Sequence, residues 1–510
     1  MTAPALEVRG VDKWFGATHA NRDVSLAVPK GTIHGVVGEN GAGKSTLMNI
    51  VYGTVAPDVG EVRVDGVPLP PGSPRAAIRR GIGMVHQHFM LVERFTALEN
   101  VLLGAEGGPT LAPGRRRARA ELERLAAAYG LEVDLDTPVG DLPVGAQQRV
   151  EILKALTRGA ELLILDEPTG VLTPQEADHL FRILRALAGQ GKTVVIITHK
   201  LREVMELTDA VTVMRRGAVV ATRPTAATSR EELAELMVGR RVALRVAKPP
   251  ASPGAPVLEV QGLRVADAAG VERVRGVDLT VRAGEIVGIA GVSGNGQSEL
   301  LEALAGMRPV RAGRIRLKGA ELPAAGCDAR TLRARGAGHV PEDRQAVGLV
   351  TGFPAAANLI LGYHDDPAWS GVARLDWAAV RARCAAVMEA YDVRPRAVDR
   401  PVSGFSGGNQ QKLVLAREIE RDPDLLLVGQ PTRGVDVGAI EFIHNRLLAL
   451  RAAGKAILLV SVELEEILAL SDRILVMCAG RIVGEVTPEA ADERRLGLMM
   501  AGAAGADVTG

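Results

Sequence analysis

Short, wholly apolar runs alternate along this chain with longer segments whose apolar positions recur every three or four residues. "LLILDE" (162–167) and "TVVIIT" (193–198) have the length of strands, and "TPQEADHLFRILRAL" (173–187) between them has helical spacing. Upstream, "TIHGVV" (32–37) leads through a glycine-rich turn into "STLMNIVYG" (45–53). Apolar strands alternating with covering helices predict an α/β fold with a parallel sheet buried on both faces. "RRRARAELERLAAAYG" (115–130) also reads as a helix, its arginines forming a solvated face. No apolar run approaches the roughly 18 residues that suggest a membrane span. The start, "MTAPALEVRG", lacks the basic and apolar stretches of a signal peptide. The chain is therefore expected to be soluble, serving any membrane process by docking on the helices of other chains.

The same order of segments occurs twice. "LEVRGVDKWF" from Leu6 recurs as "LEVQGLRVAD" from Leu258, and "GVVGENGAGKSTL" recurs as "GIAGVSGNGQSEL", matching Gly38 to Gly291. "VGAQQRVEILKAL" recurs as "GGNQQKLVLAREI", and "VVIITHKLREV" as "ILLVSVELEEI". Repeats of this length are tandem domains, expected over residues 1–245 and 258–501. The Pro- and Ala-rich "VAKPPASPGAPV" (246–257) forms the linker, and residues 502–510 are a disordered tail.

Composition narrows the function classes. With 61 Lys and Arg against 60 Asp and Glu, the formal charge is +1, and no basic footprint for nucleic acid is present. Aromatic residues make up 3%, which argues against base-stacking platforms. Cys327, Cys384 and Cys478 are scattered without metal-ligand spacing and read as reduced core residues of a cytosolic protein.

The chemistry lies in the first glycine turn. Gly38-Glu39-Asn40-Gly41-Ala42-Gly43-Lys44-Ser45-Thr46 fits G-x-x-x-x-G-K-[ST] between a strand and a helix. Backbone N–H groups of such a loop curl around a triphosphate, Lys44 reaches the β and γ phosphates, and the Ser45 hydroxyl ligates Mg²⁺. Asp166 ends an apolar strand, where a carboxylate holds Mg²⁺ through its water shell. Glu167 follows, placed to polarise an attacking water.

With these motifs the chain resembles the ATP-binding subunit of an ATP-binding cassette (ABC) transporter, in the fused two-cassette form of bacterial importers of monosaccharides and nucleosides. The resemblance runs from about Leu6 to about Ala501. It implies two P-loop cassettes, each with a RecA-like parallel core, an antiparallel β subdomain and a helical signature subdomain. It further implies that Gln87 in "GMVHQHFM" senses the γ-phosphate and metal, and that His199 is the switch histidine. Phe15, with Trp14 as a neighbouring candidate, would stack on adenine. The family's signature opens a helix that clamps the γ-phosphate held by the opposite cassette. Ser406, Gly407 and Gly408 match it in the second half, whereas the first half has Pro143, Val144 and only Gly145 of the trio.

Because cassettes of this family pack head to tail, the resemblance implies two unequal sites. Site one joins the Gly38–Thr46 loop, Gln87, Asp166, Glu167 and His199 to Ser406, Gly407, Gly408 and Asp436. Site two has Gln297 for the lysine, Glu342 at the position of Gln87, Gly429 and Gln430 for the acidic pair, and Val462 for the histidine. Gly291, Gly294, Gly296 and Ser298 survive there. Glu342 is expected to repel a triphosphate, and hydrolysis at site two to be lost. The implied partners are two permease subunits on separate chains and an extracytoplasmic solute-binding protein, with the chain peripheral on the cytoplasmic face of the plasma membrane. The permease would dock near "HFMLVERFTALENVLLG" (88–104) and "GLVTGFPAAANLILG" (348–362). "HVPEDR" and the Gly429-Gln430 pair look most like the nucleoside importers, with monosaccharides as the alternative solute. A ribosome-associated tandem-cassette ATPase would have two intact sites and a long charged linker. A DNA-repair ATPase would need zinc cysteines or a coiled-coil insertion. Neither pattern is present.

Overall fold

The computed structural model describes residues 3–16, 18–86, 89–104, 111–170, 172, 174–241, 246–292, 294–322, 328–371, 374–500 and 502. Gln87, Cys327 and the tail beyond Gly502 lie outside the described residues. Two compact units divide the chain, Met1–Val242 and Ala243–Gly510.

In the first unit the apolar runs form one six-stranded sheet, ordered Ile82–Val85, Leu162–Asp166, Thr193–Thr198, Ile33–Val37, Ala210–Arg215 and Ala218–Pro224. The first five strands are parallel and the last is antiparallel. Strand periodicity sends alternate side chains to opposite faces, so each face needs its own core. Leu163, Leu165, Val194 and Ile196 enter one core, while Leu162, Ile164, Val195 and Ile197 enter the other. This is why those runs are apolar throughout rather than alternating. A four-stranded antiparallel sheet, containing Leu6–Phe15 and Thr18–Val28, packs its apolar face into the second of these cores.

The second unit repeats the plan. Its large sheet runs Ala337–Val340, Leu425–Gly429, Ala456–Ser461, Ile286–Ala290, Arg473–Cys478 and Arg481–Val486. The segment read as a linker is tied to this unit: Lys248 donates to the Ser471 carbonyl, Arg451 donates to the Pro249 carbonyl, and Pro256 already opens a strand. Cys384 is buried, which pushes its thiol up to about 12, whereas Cys478 is only half-buried and so is not a full core residue.

Both units bring strand ends and loop–helix turns to one edge of the sheet, where ligands of open parallel sheets bind. Gly43 and Gly296 make the turn possible. Each has φ near +100° (96° and 100°), and a Cβ would meet the carbonyl oxygen of Ala20 or Arg273 at 2.3 Å.

One buried ion pair fixes the helix Gly407–Ile419 in the second unit. Arg417 donates to Glu418 at 2.8 Å and to the Gly348 carbonyl at 2.7 Å, while Tyr363 donates to the other Glu418 oxygen at 2.7 Å. Removing one partner of such a pair strands a buried charge. Arg417→Met is expected to destabilise the second unit by about 3–5 kcal/mol, read as a lower urea midpoint for that unit's unfolding transition.

Candidate functional site

In the first unit, the strand Ile33–Val37 ends at Gly38 and the helix Lys44–Tyr52 begins after the left-handed Gly43. Lys44 is only 5% exposed, and its ammonium folds back over the loop, donating to the carbonyls of Gly38 at 2.7 Å and Glu39 at 3.0 Å. Burial pulls its pKa down, opposed by the charges of Glu167, Asp166 and Glu39. Gly38 lets the loop pass close to the neighbouring strand, since a Cβ there would meet the Met214 carbonyl oxygen at 2.3 Å.

The next strand, Leu162–Asp166, delivers the acidic pair. Ser45 Oγ donates to Asp166 Oδ1 at 3.5 Å. Burial pushes the Asp166 carboxyl up, partly countered by Ser45. A hydroxyl and a carboxylate, both hard oxygen donors beside a glycine cradle, fit a hydrated Mg²⁺ on a phosphate. Glu167 takes a left-handed backbone, φ 47°, and its amide donates to the Ile197 carbonyl. That turn swings its side chain to His199, where Nδ1 and Oε1 are 2.9 Å apart. Burial alone would raise the Glu167 pKa. The His199 hydrogen bond, with the charges of His199, Lys44 and Lys200, outweighs burial and holds it below the usual carboxylate value. The result is an ionised carboxylate, oriented by a histidine, within the field of a buried lysine. Such a group can accept a proton from water.

Phe15 and Trp14 are both exposed at the end of the first strand. Trp14 is stacked on His19 at 4.1 Å between ring centroids, and Lys13 lies over the Phe15 ring at 5.5 Å.

The second unit has the same loop without the same chemistry. The helix Gln297–Leu304 begins after Gly296, and Gln297 curls over Gly291 as Lys44 curls over Gly38. Gln430 keeps the left-handed turn, φ 48°, and donates its amide to the Val460 carbonyl as Glu167 does to Ile197. Its side-chain oxygen accepts from the Val462 amide at 3.3 Å, where the first unit has the imidazole of His199. Ser298 Oγ donates at 2.7 Å to Glu342 rather than to position 429, which is glycine.

The two signature segments are equally matched in backbone and unequal in chemistry. Ser406 precedes the helix Gly407–Ile419 and makes no capping bond to it, and its hydroxyl accepts from Asn409 at 2.8 Å. Gly408 lies against Asp436, whose carboxylate caps the helix Val437–Ala452 by accepting from the Ala439 amide at 2.7 Å. Pro143 holds the same extended backbone before the helix Val144–Thr157 but has no hydroxyl, and Val144 is exposed. Gly145 remains packed against Glu176.

Several supporting residues carry no motif. Gln148, on the helix Val144–Thr157, donates to the Pro168 carbonyl at 2.7 Å and so braces the turn after Glu167. Thr169 donates to the buried Glu203, whose carboxyl burial pushes up. Buried Asn100 exchanges hydrogen bonds with both backbone groups of Val92 and donates to the carbonyls of Phe95 and Thr96, and Asn358 does the same with Val350, Phe353 and Pro354. The only sequence signal for these was their recurrence in the two halves.

The ABC transporter family profile matches residues 21–170 and 274–433. Over 98% of its length the chain is 47% identical to the guanosine import ATP-binding protein NupO of Bacillus subtilis (strain 168), covering 97% of that protein. It is 46% identical over 98% of its length to the nucleoside import ATP-binding protein NupA of Lactococcus lactis subsp. cremoris (strain MG1363), covering 98% of it. It is also 46% identical over 99% of its length to the glucose import ATP-binding protein TsgD13 of Haloferax volcanii, covering 97% of it.

Gln148→Leu leaves the Pro168 carbonyl buried and unpaired, a cost of about 1–3 kcal/mol, felt at the turn that aims Glu167. The expected outcome is a kcat for ATP hydrolysis lowered by roughly tenfold with KM little changed, measured by steady-state phosphate release.

Proposed function

The chain belongs to the ABC transporter family as an ATPase of two fused cassettes, and on that premise we propose that it drives nucleoside import from one hydrolytic site. The observation that carries the reading is the contrast between Lys44, Asp166, Glu167 and His199 in the first unit and Gln297, Gly429, Gln430 and Val462 in the second.

At the first site, the loop amides of Gly38–Thr46 and the Lys44 ammonium would bind the triphosphate. Ser45 and Asp166 would hold Mg²⁺, which supplies charge neutralisation on the β and γ phosphates when bound. Glu167 takes a proton from the attacking water as its oxygen adds to the γ-phosphorus, and the leaving group departs as ADP. His199 keeps the Glu167 carboxylate aimed and ionised. Gln87 would report the γ-phosphate, and Phe15 would cover one face of adenine. Ser406, Gly407, Gly408 and Asp436, from a signature segment with its serine intact, would close over the γ-phosphate of a nucleotide held by an opposing cassette, by the helix N-terminus and the Ser hydroxyl. The opposite signature, with Pro143 and Val144, has no hydroxyl to offer.

The importer reading assigns the two apolar turns to permease helices. Met90, Val92 and Phe95 are exposed on the turn braced by Asn100, and Val347, Val350 and Phe353 on the turn braced by Asn358. A rigid turn with exposed apolar side chains suits a helix-docking surface. Two permease chains, and a solute-binding protein outside the membrane, complete the proposed assembly, with this chain on the cytoplasmic face. Nucleosides are favoured as solute by the names of two relatives and by "HVPEDR" with Gly429-Gln430. The glucose importer among the relatives, at the same level of identity, supports a monosaccharide as the second reading.

Glu167→Gln, Lys44→Ala and Ser406→Ala are each expected to lower ATP hydrolysis by at least about 10²-fold. Gln430→Glu added to Glu167→Gln is expected to restore none of it, because the second unit also lacks the lysine, the aspartate and the histidine. Hydrolysis persisting in Glu167→Gln would overturn the assignment. With permease and binding protein reconstituted in vesicles, nucleosides rather than ribose or glucose should stimulate hydrolysis. Asn100→Ala should retain basal hydrolysis and lose most of that stimulation.

A further inference from the structure

The chain after Glu342 is longer than its counterpart in the first unit. Asn358 lies 16 positions after Glu342, whereas Asn100 lies 13 after Gln87. Within the longer segment, Arg344–Gly348 forms a single π-helical turn, with the amides of Val347 and Gly348 both on the Asp343 carbonyl. The Asp343 carboxylate starts the turn by accepting from the Gln345 and Ala346 amides at 2.9 Å each. Isolated π turns are rare and concentrate at functional sites.

The first two side chains of this turn bond to the segments around Ser406. Arg344 Nη1 donates to the Arg433 carbonyl at 2.7 Å, and Nη2 donates to the Gly434 carbonyl at 3.4 Å. Two residues further on, Asp436 caps its helix and lies against Gly408. The same guanidinium covers the start of the signature helix. A Cβ on Gly407 would lie 2.5 Å from Arg344 Nη2 and 2.8 Å from the Gly434 carbonyl oxygen, so these three groups meet with no room for a side chain. In the first unit the matching position is Val144, which is exposed. Gln345 makes a second link, its amide donating to the Gln410 side-chain oxygen at 3.0 Å. Gln410 is buried and donates in turn to the carbonyls of Val402 and of Phe405, the residue before Ser406. Holding a guanidinium here is costly. Burial lowers the Arg344 pKa against the opposing charge of Asp343, and its buried Nε has no hydrogen-bond partner among the described residues. A buried donor left unpaired calls for a reason other than stability.

We propose that Arg344 is a positioning residue for hydrolysis: its fork ties Ser406 and Gly407 to the turn that carries Asp436, so that the serine hydroxyl, the helix N-terminus and the Asp436 carboxylate approach a γ-phosphate as one rigid piece. Arg344 acts through those residues and not on the nucleotide. Arginine suits the task better than lysine, because one planar group holds two carbonyls at fixed spacing. Rigidity matters because a misplacement of about 1 Å at a reacting phosphate can cost on the order of 10²-fold in rate. The inference rests on the reading that the Ser406 signature serves a hydrolytic site.

The test is steady-state phosphate release by the full chain assembled with its permease. Arg344→Gln should lower kcat by roughly 10–100-fold, with KM within about threefold of the unsubstituted value. Arg344→Lys keeps the charge and one carbonyl bond, should fall between the two, and is the variant to read if the glutamine chain fails to fold. The cycle with Ser406→Ala separates positioning from general support of the fold. In that background Arg344→Gln should lower the residual rate by less than about threefold, because the group it aims is gone. A merely structural arginine would lower both backgrounds by the same factor. An unchanged kcat in Arg344→Gln, or equal losses in the two backgrounds, overturns the proposal. Failure of the signature reading registers separately, as full hydrolysis in Ser406→Ala alone.

Discussion

A buried ammonium sits at the origin of the first cassette's site. Lys44 is held out of water at the start of a helix, whose own positive end adds to the cost. Two loop carbonyls and the field of Asp166 and Glu167 offset that cost. The same positive field, with the His199 hydrogen bond, keeps Glu167 ionised although it is largely buried. Lys44, Asp166 and Glu167 therefore lie in one another's fields, and the His199 hydrogen bond helps hold the Glu167 carboxyl below its usual value.

The second cassette shows what happens when the cation is absent. Gln297 brings no charge, so an acidic pair next to it would be buried without compensation. Gly429 and Gln430 remove both carboxylates, and Val462 replaces the histidine that had a carboxylate to hold. The backbone does not register the change. Gln430 retains the left-handed turn and the amide bond to Val460 that Glu167 makes to Ile197. Scaffold and chemistry have separated because the turn is fixed by sheet hydrogen bonds, whereas the charges depend only on one another. Glu342 is the exception, a single carboxylate retained by Ser298 rather than by a lysine.

Much of the fold is legible in the residues. Leu162–Leu165 and Val194–Ile197 are apolar at consecutive positions because they feed cores on both faces, and each lies in an interior strand. The phosphate loop is legible for a different reason: Gly43 and Gly296 must be glycine, because each is left-handed and a Cβ would meet a neighbouring carbonyl oxygen. The contacts of Gln148, Glu203, Asn100 and Asn358 were not legible. Each is a polar residue within a helix, indistinguishable in the sequence from a solvated one; Gln148, Asn100 and Asn358 bond to backbone outside their own helix turns, and Glu203 to the Thr169 hydroxyl.

The sequence by itself determined that there are two cassettes, that one carries the lysine, the acidic pair and the histidine, and that the other carries the intact signature. Those features depend on residue type and local spacing, which survive translation into one dimension. Only the tertiary structure decided that the Glu342 carboxylate meets Ser298, that Gly429 is the space it needs, and that Gln297 holds a buried donor with no acceptor among the described residues. Those facts depend on which strands are neighbours in the sheet. Strand order is a property of the packed core, in which Ala337–Val340 lies against Leu425–Gly429 across a long stretch of intervening sequence.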